Sequence, residues 1–100
     1  MSAVITADLV SLDADFGESR FDVIRHLAQA VTDTGRATDF DQLYADAKAR
    51  ESKTDTGIPG GIAIPHCRSA AVTEPTLAMA RPHPPVDFGA KDGPADLIFF

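Results

Sequence analysis

The chain has 100 residues, 44% of them hydrophobic, and a formal net charge of -6, which bounds it to one modest domain or part of one. The acidic balance argues against a nucleic-acid-binding role, because a phosphate backbone demands a basic surface, and points to proteins or small molecules as partners. No apolar run approaches the roughly 18 residues of a membrane span, and the start Met1-Ser2-Ala3-Val4 lacks the basic and apolar segments of a signal peptide, so a cytoplasmic location is expected. The single cysteine, Cys67, forms no internal disulfide and offers no metal-binding spacing; neither a metal nor a cofactor is implied.

In chain order, residues 9–12 (Leu-Val-Ser-Leu) form a short apolar run that reads as an edge or first strand. Asp13, Asp15 and Glu18 follow; their positions miss the spacing and the glycine of a calcium-binding loop, so the cluster reads as a solvated connection. Ser19 with Asp22 three residues on has the form of a capping box, after which Ile24, Leu27, Ala28 and Val31 define one helical face. His26 lies opposite that face and is expected in solvent. Gly35 ends the helix.

A second start signal at Thr38 and Asp39 opens a helix whose apolar positions are Phe40, Leu43, Tyr44 and Ala47, and which should run to about Arg50 or Glu51. At 100° per residue Arg50 lies beside Leu43 and Glu51 lies between Phe40 and Tyr44, so both charges fall on the core-facing side. Two readings of Arg50 stay open on spacing alone. It complements the helix dipole in a frayed last turn, or it stands at the margin of a polar site just beyond the helix end.

Residues 57–66 read Gly-Ile-Pro-Gly-Gly-Ile-Ala-Ile-Pro-His. Ile62 and Ile64 alternate with Ala63 in the manner of a short strand. Pro65 holds Ile64 extended and cannot continue a ladder, so His66 emerges at a strand end with its backbone direction largely fixed. The glycines, Gly57 first among them, leave N–H groups able to approach an anion. The Thr56 hydroxyl adds a donor and Arg50 a charge. Cys67 follows His66 directly, and adjacent residues on an extended chain point to opposite faces, which argues against a thiol–imidazole pair. On spacing alone, a histidine after an apolar strand is more often a structural residue.

Beyond it, residues 68–75 read as a loop, 76–80 as an apolar strand and 81–85 as a proline-rich turn that carries His83. Residues 86–88 suggest another short strand and 89–94 a turn. Residues 95–100 hold Leu97-Ile98-Phe99-Phe100, a continuous run suited to a buried strand. Two amphipathic helices followed by several strands predict an α/β layered domain.

The run from Ile62 to His66, preceded by Thr56-Gly57-Ile58 and Arg50-Glu51, and the later Val86-Asp87-Phe88 and Asp92-Gly93, resemble the enzyme IIA domain of the fructose and mannitol type. That domain belongs to the bacterial phosphoenolpyruvate:sugar phosphotransferase system. The resemblance covers the chain from about Leu9 to Phe100. It implies that His66 takes a phosphoryl group from the carrier protein HPr and hands it to an enzyme IIB domain, with fructose or a related sugar as the eventual acceptor. It also implies that Arg50, Thr56 and Gly57 stabilise the phosphoryl group, and that a membrane enzyme IIC acts downstream or is fused.

The implied fold is α/β, a mixed sheet sandwiched by helices. Its remaining strand and helices, and a second active-site histidine, would lie after Phe100, so the sequence is expected to end before the domain is complete. Pro59 stands where glycine is commoner, which deletes one N–H, and Cys67 where glycine or alanine is usual. The alternative function is a regulatory enzyme IIA of the nitrogen type, which controls other proteins through its phosphorylation state. A fold relative without phosphotransfer is opposed by the joint presence of Arg50, Thr56 and His66. Both ring nitrogens of His66 stay open as the phosphorylated atom.

Overall fold

The computed structural model of the chain describes residues 5–17, 19–67, 69–73, 76–91 and 93–100. Glu18 of the acidic cluster, Asp92 of the Asp-Gly pair and three positions of the expected 68–75 loop lie outside the described residues. After a 3-10 turn at Ala7–Leu9 come β1 (Val10–Ala14), α1 (Arg20–Asp33), α2 (Phe40–Lys53), β2 (Gly57–Ile58), β3 (Ile62–Ala63), β4 (Met79–Pro82) and β5 (Leu97–Phe99).

Both helices begin where local chemistry dictates. The Ser19 hydroxyl accepts from the N–H groups of Phe21 and Asp22, and the Asp22 carboxylate accepts from the Ser19 N–H at 3.2 Å, which satisfies orphan donors reciprocally. Asp39 caps α2 by accepting from the Gln42 N–H. α1 ends as expected at Gly35, whose φ of 82° is open to glycine at little cost. α2 runs on to Lys53, past the expected end, with Arg50 and Lys53 in its last turn, where cations complement the dipole.

The strands form one mixed sheet in the order β1-β4-β5-β3-β2. β1–β4 and β3–β5 are parallel, β4–β5 and β2–β3 antiparallel. This is the expected α/β class with a mixed sheet. The last apolar run supplies the central strand. Register places Ser11, Ala80, Ile98 and Ala63 on one face, and that face is covered: Ala80, Ile98 and Ala63 are fully buried. α1 packs against β4 there and beside α2, contributing Val23, Ile24, Leu27, Ala28 and Val31 to the core. The other face carries Leu12, Ile58, Ile62, Leu97 and Phe99 by the same register. Leu12 remains 49% and Ile58 40% exposed, and Ile62, Leu97 and Phe99 are half-buried.

Four further details differ from the sequence-based expectation. Gly57 and Ile58, expected only as part of a glycine segment, pair with Ala63 and Ile62 as a hairpin and form β2. β4 begins at Met79 rather than at residue 76, Arg81 and Pro82, expected in a turn, close it, and Pro82 is accommodated where the β1–β4 register shifts. Residues 86–88 make a single bridge, Val86 with Ala95, rather than a strand. His26 is only partly solvated. It is half-buried against β1, with Nε2 3.0 Å from the Ser11 hydroxyl and its ring 4.3 Å from that of Phe16, because the flank of α1 beyond its apolar stripe meets the edge strand.

Candidate active site around His66

The β2–β3 hairpin and the end of α2 build the site. Gly60 and Gly61 adopt φ of 101° and 77°, so two of the three glycines serve the turn between the strands. That turn lies at the end of the hairpin away from His66. On the His66 side the pairing continues past the strands, with the Ile64 N–H donating to the Thr56 carbonyl at 3.1 Å. Pro65 is fully buried and His66 exposed, so the proline anchors the segment and the imidazole projects from it.

The orientation of that imidazole is fixed locally. Nδ1 of His66 lies 2.7 Å from the Ile64 carbonyl oxygen. A carbonyl only accepts, so Nδ1 carries the proton, and in the neutral ring Nε2 then holds the free lone pair. Beside it lies an open cleft of about 410 Å³ lined by Asp46, Ala49, Arg50, Lys53, His66 and Cys67. The four α2 residues stand at i, i+3, i+4 and i+7, which is one helical face.

Arg50 is therefore on the same cleft as His66. Its Nη1 donates to the Thr54 carbonyl at 3.1 Å, which steadies the side chain while other guanidinium donors remain for an anion. The sequence analysis singles out neither Lys53 nor Asp46, although both share a helical face with Arg50; Lys53 lies beyond the helix end expected at residue 50 or 51. Hydrogen bonds from Gln42 and then Ser69 hold the Asp46 carboxylate below its ordinary pKa. Burial first, and the Asp46 charge second, push the Cys67 thiol up, so Cys67 borders the cleft as a protonated, weakly nucleophilic group.

Thr56 and Gly57 are placed differently from the expectation that their donors face a phosphoryl group. Thr56 is 4% exposed; its hydroxyl donates to Glu51 Oε1 at 2.6 Å and its N–H to Glu51 Oε2 at 3.0 Å. The Gly57 N–H donates to the Phe88 carbonyl at 3.1 Å. Both sets of donors are consumed within the fold. The glycine there has a steric reason instead, since a Cβ would sit 2.8 Å from the Phe88 carbonyl oxygen. His83 is exposed on the proline-rich segment. Among the described residues no group of His, Cys, Asp and Glu side chains is arranged to hold a metal ion, and no helix is long and apolar enough to cross a membrane.

The chain is 35% identical over 100 residues to a fructose-specific EIIA component of the phosphotransferase system from Haloferax volcanii, covering 99% of the chain and 64% of that protein. It is 38% identical over 84 residues to a nitrogen regulatory protein from Pseudomonas aeruginosa, covering 83% and 54%. It is also 35% identical over 101 residues to a fructose-specific EIIABC component from Bacillus subtilis, covering 99% and 16%. The chain thus spans less than two thirds of the length of each of these relatives.

Among solved structures, nitrogen regulatory protein IIA-Ntr from Neisseria meningitidis superposes with a TM-score of 0.84 at 30% identity, covering 96% of this chain and 65% of that one. The complex of enzyme IIAMTL with phosphorylated enzyme IIBMTL from Escherichia coli superposes at 0.81 with 18% identity, covering 95% and 67%, and so shares the fold. The family described as "Phosphoenolpyruvate-dependent sugar phosphotransferase system, EIIA 2" matches residues 3–100, and the chain belongs to that family.

Proposed function

We propose that this protein is a phosphocarrier: His66 receives a phosphoryl group from phosphorylated HPr and passes it to an enzyme IIB domain, in the cytoplasm, for uptake of a sugar such as fructose. The observation that carries the reading is the 2.7 Å hydrogen bond from His66 Nδ1 to the Ile64 carbonyl. It leaves Nε2 as the nucleophile. As the Nε2–phosphorus bond forms, the donor's bond to phosphorus breaks and its electron pair stays with the donor. The ring then holds a proton on Nδ1 and phosphorus on Nε2, and is cationic. The Ile64 carbonyl is already aimed at the proton that carries this charge, so no reorganisation is needed as it develops.

Arg50 and Lys53 on the cleft counter the charge of the phosphoryl oxygens, the main requirement of a reaction that depends on positioning and electrostatics. Thr56 and Gly57 act from beneath, by holding the hairpin rather than the phosphoryl group. An enzyme IIB partner is supported by the solved complex of enzyme IIAMTL with enzyme IIBMTL, and a downstream or fused membrane component by the EIIABC relative.

The second reading is a regulatory role, favoured by the 38% identity to a nitrogen regulatory protein and by the superposition on IIA-Ntr. In that case the same phosphohistidine controls binding to other proteins and feeds no sugar. One experiment separates them. The protein is incubated with phosphoenolpyruvate, enzyme I and HPr, and the added phosphate is mapped by mass spectrometry at alkaline pH, where a phosphoramidate survives. Label on His66 that an enzyme IIB domain discharges supports the carrier; label that no enzyme IIB removes supports the regulator. Label that persists after His66→Ala, or that maps to His83 or Cys67, refutes both.

A further inference from the structure

The carboxylate of Glu51 is 2% exposed and takes part in none of the chemistry above. It accepts from Arg20 Nη1 at 3.2 Å, from the Thr56 N–H at 3.0 Å and from the Thr56 hydroxyl at 2.6 Å. A charge withdrawn from water in this way is costly unless fully paired, and here the pairing converges on one residue of the hairpin. Thr56 is the residue whose carbonyl receives the Ile64 N–H, and Ile64 supplies the carbonyl that holds His66 Nδ1. An unbroken chain of hydrogen bonds therefore runs from Arg20 through Glu51, Thr56 and Ile64 to the imidazole.

The adjoining residues are clamped in the same manner. Arg50 Nη1 donates to the Thr54 carbonyl and Arg20 Nη1 to Asp55 Oδ1 at 2.6 Å. Three consecutive residues, Thr54 to Thr56, are thus held by side chains from the last turn of α2 and the first turn of α1. Arg50 and Glu51 are neighbours on that last turn. One reaches the cleft beside His66, and the other sets the strand from which His66 is held.

Resting on the reading of His66 as the phosphoryl acceptor, we infer that Glu51, braced by Arg20, is a positioning residue for that reaction: it fixes Thr56 and so the Ile64 carbonyl, which keeps the Nδ1–H tautomer and registers Nε2 against Arg50. Its removal lets the carbonyl move, and the imidazole is then free to exchange tautomers and rotate. A purely structural buried ion pair would change stability and leave the tautomer of the folded molecule as it is.

The test reads the tautomer directly, in the unphosphorylated full chain, by nitrogen-15 NMR of the His66 ring in mildly alkaline buffer. The unsubstituted protein should show the proton on Nδ1. Glu51→Ala should give a mixture of tautomers and slow phosphorylation by HPr on the order of 10- to 100-fold, as expected for a misplaced reacting group. Glu51→Gln keeps the reach, accepting from the Thr56 N–H and donating to the Thr56 oxygen, and should restore the tautomer and most of the rate. If Glu51→Ala does not fold, Glu51→Asp serves in its place, since it keeps the charge but falls one methylene short. A folded Glu51→Ala or Glu51→Asp protein that retains the Nδ1–H tautomer overturns the inference, whatever its rate. A tautomer shift in the variants together with no phosphorylation of His66 in the unsubstituted protein upholds the positioning and sinks the carrier reading instead.

Discussion

Replacing Gly57 with alanine separates a glycine that faces a phosphoryl group from one that lets two backbone segments meet. The φ angle at Gly57 is not positive, so alanine can adopt the local conformation and the effect is one of contact. An added Cβ would lie 2.8 Å from the Phe88 carbonyl oxygen, 2.9 Å from the Ala90 nitrogen and 3.0 Å from the Phe88 carbonyl carbon. All three are backbone atoms, which no rotamer change can move. Overpacking of this kind costs about 1–3 kcal/mol. Opening the contact also weakens the hydrogen bond from the Gly57 N–H to the Phe88 carbonyl, worth about 0.5–1.5 kcal/mol. The restricted unfolded chain returns about 0.4–1 kcal/mol. The net loss is about 2 kcal/mol, which in a domain of this size lowers the melting midpoint by about 8–16 °C. A thermal melt followed by circular dichroism measures it. Phosphorylation of His66, assayed well below both midpoints, should stay within about threefold of the parent. An unchanged melt with phosphorylation lost would refute the reasoning and return Gly57 to the anion site.

Arg50→Lys keeps the charge but loses the planar fork, so phosphoryl transfer should fall about 10-fold or more with the melt unchanged; if Arg50→Ala transfers at the parent rate, the residue serves only the helix end. Burial holds the His26 imidazole below its ordinary pKa, so the unfolded chain binds the extra proton first. The stability this contributes is fully present above the unfolded value of about 6.5 and is lost as pH falls through the folded value. The melting midpoint should drop on acidification and drop less in His26→Gln; equal slopes would remove His26 from the account. We also propose that residues 1–100 are the N-terminal part of a longer enzyme IIA domain, since the sheet face bearing Leu12 and Ile58 is incompletely covered. A protein extended to the length of its enzyme IIA relatives should melt higher and bind less of a dye specific for apolar surface, and equal dye binding by the two forms would count against it.

The helices were legible because their signals are local. Ser19 and Asp22 lie within one turn of each other and satisfy the same donors, and the apolar positions of α1 need no partner to be recognised. That Leu97–Phe99 forms a strand was legible from its uninterrupted apolar composition, although only Ile98 of the three is fully buried. β2 was not, because a two-residue strand of glycine and isoleucine is defined by its pairing with Ile62 and Ala63 rather than by any pattern of its own. His26 failed for a related reason: helical periodicity says which side avoids water within the helix, but not that the edge strand and the connection after it would bring Ser11 and Phe16 to its flank.

The site divides along the same line. His66 and Arg50 were legible as side chains placed by a strand end and a helix end, and both line one cleft. The donors were not, because a hydroxyl or an N–H has no sequence mark for the acceptor that takes it. Glycine before a histidine fits an anion cradle and fits a tight hairpin equally well. Here the positive φ angles fall at Gly60 and Gly61, in the turn remote from His66, while the donors of Thr56 and Gly57 are spent on Glu51 and Phe88. On the proposed reading, the phosphoryl group meets a face of α2 with Arg50 and Lys53, set against an imidazole whose acceptor is its own chain two residues back. If His66 is the acceptor proposed above, placement of its reactive nitrogen depends on how firmly the hairpin is tied to that helix, and the tie is the buried contact between Glu51 and Thr56.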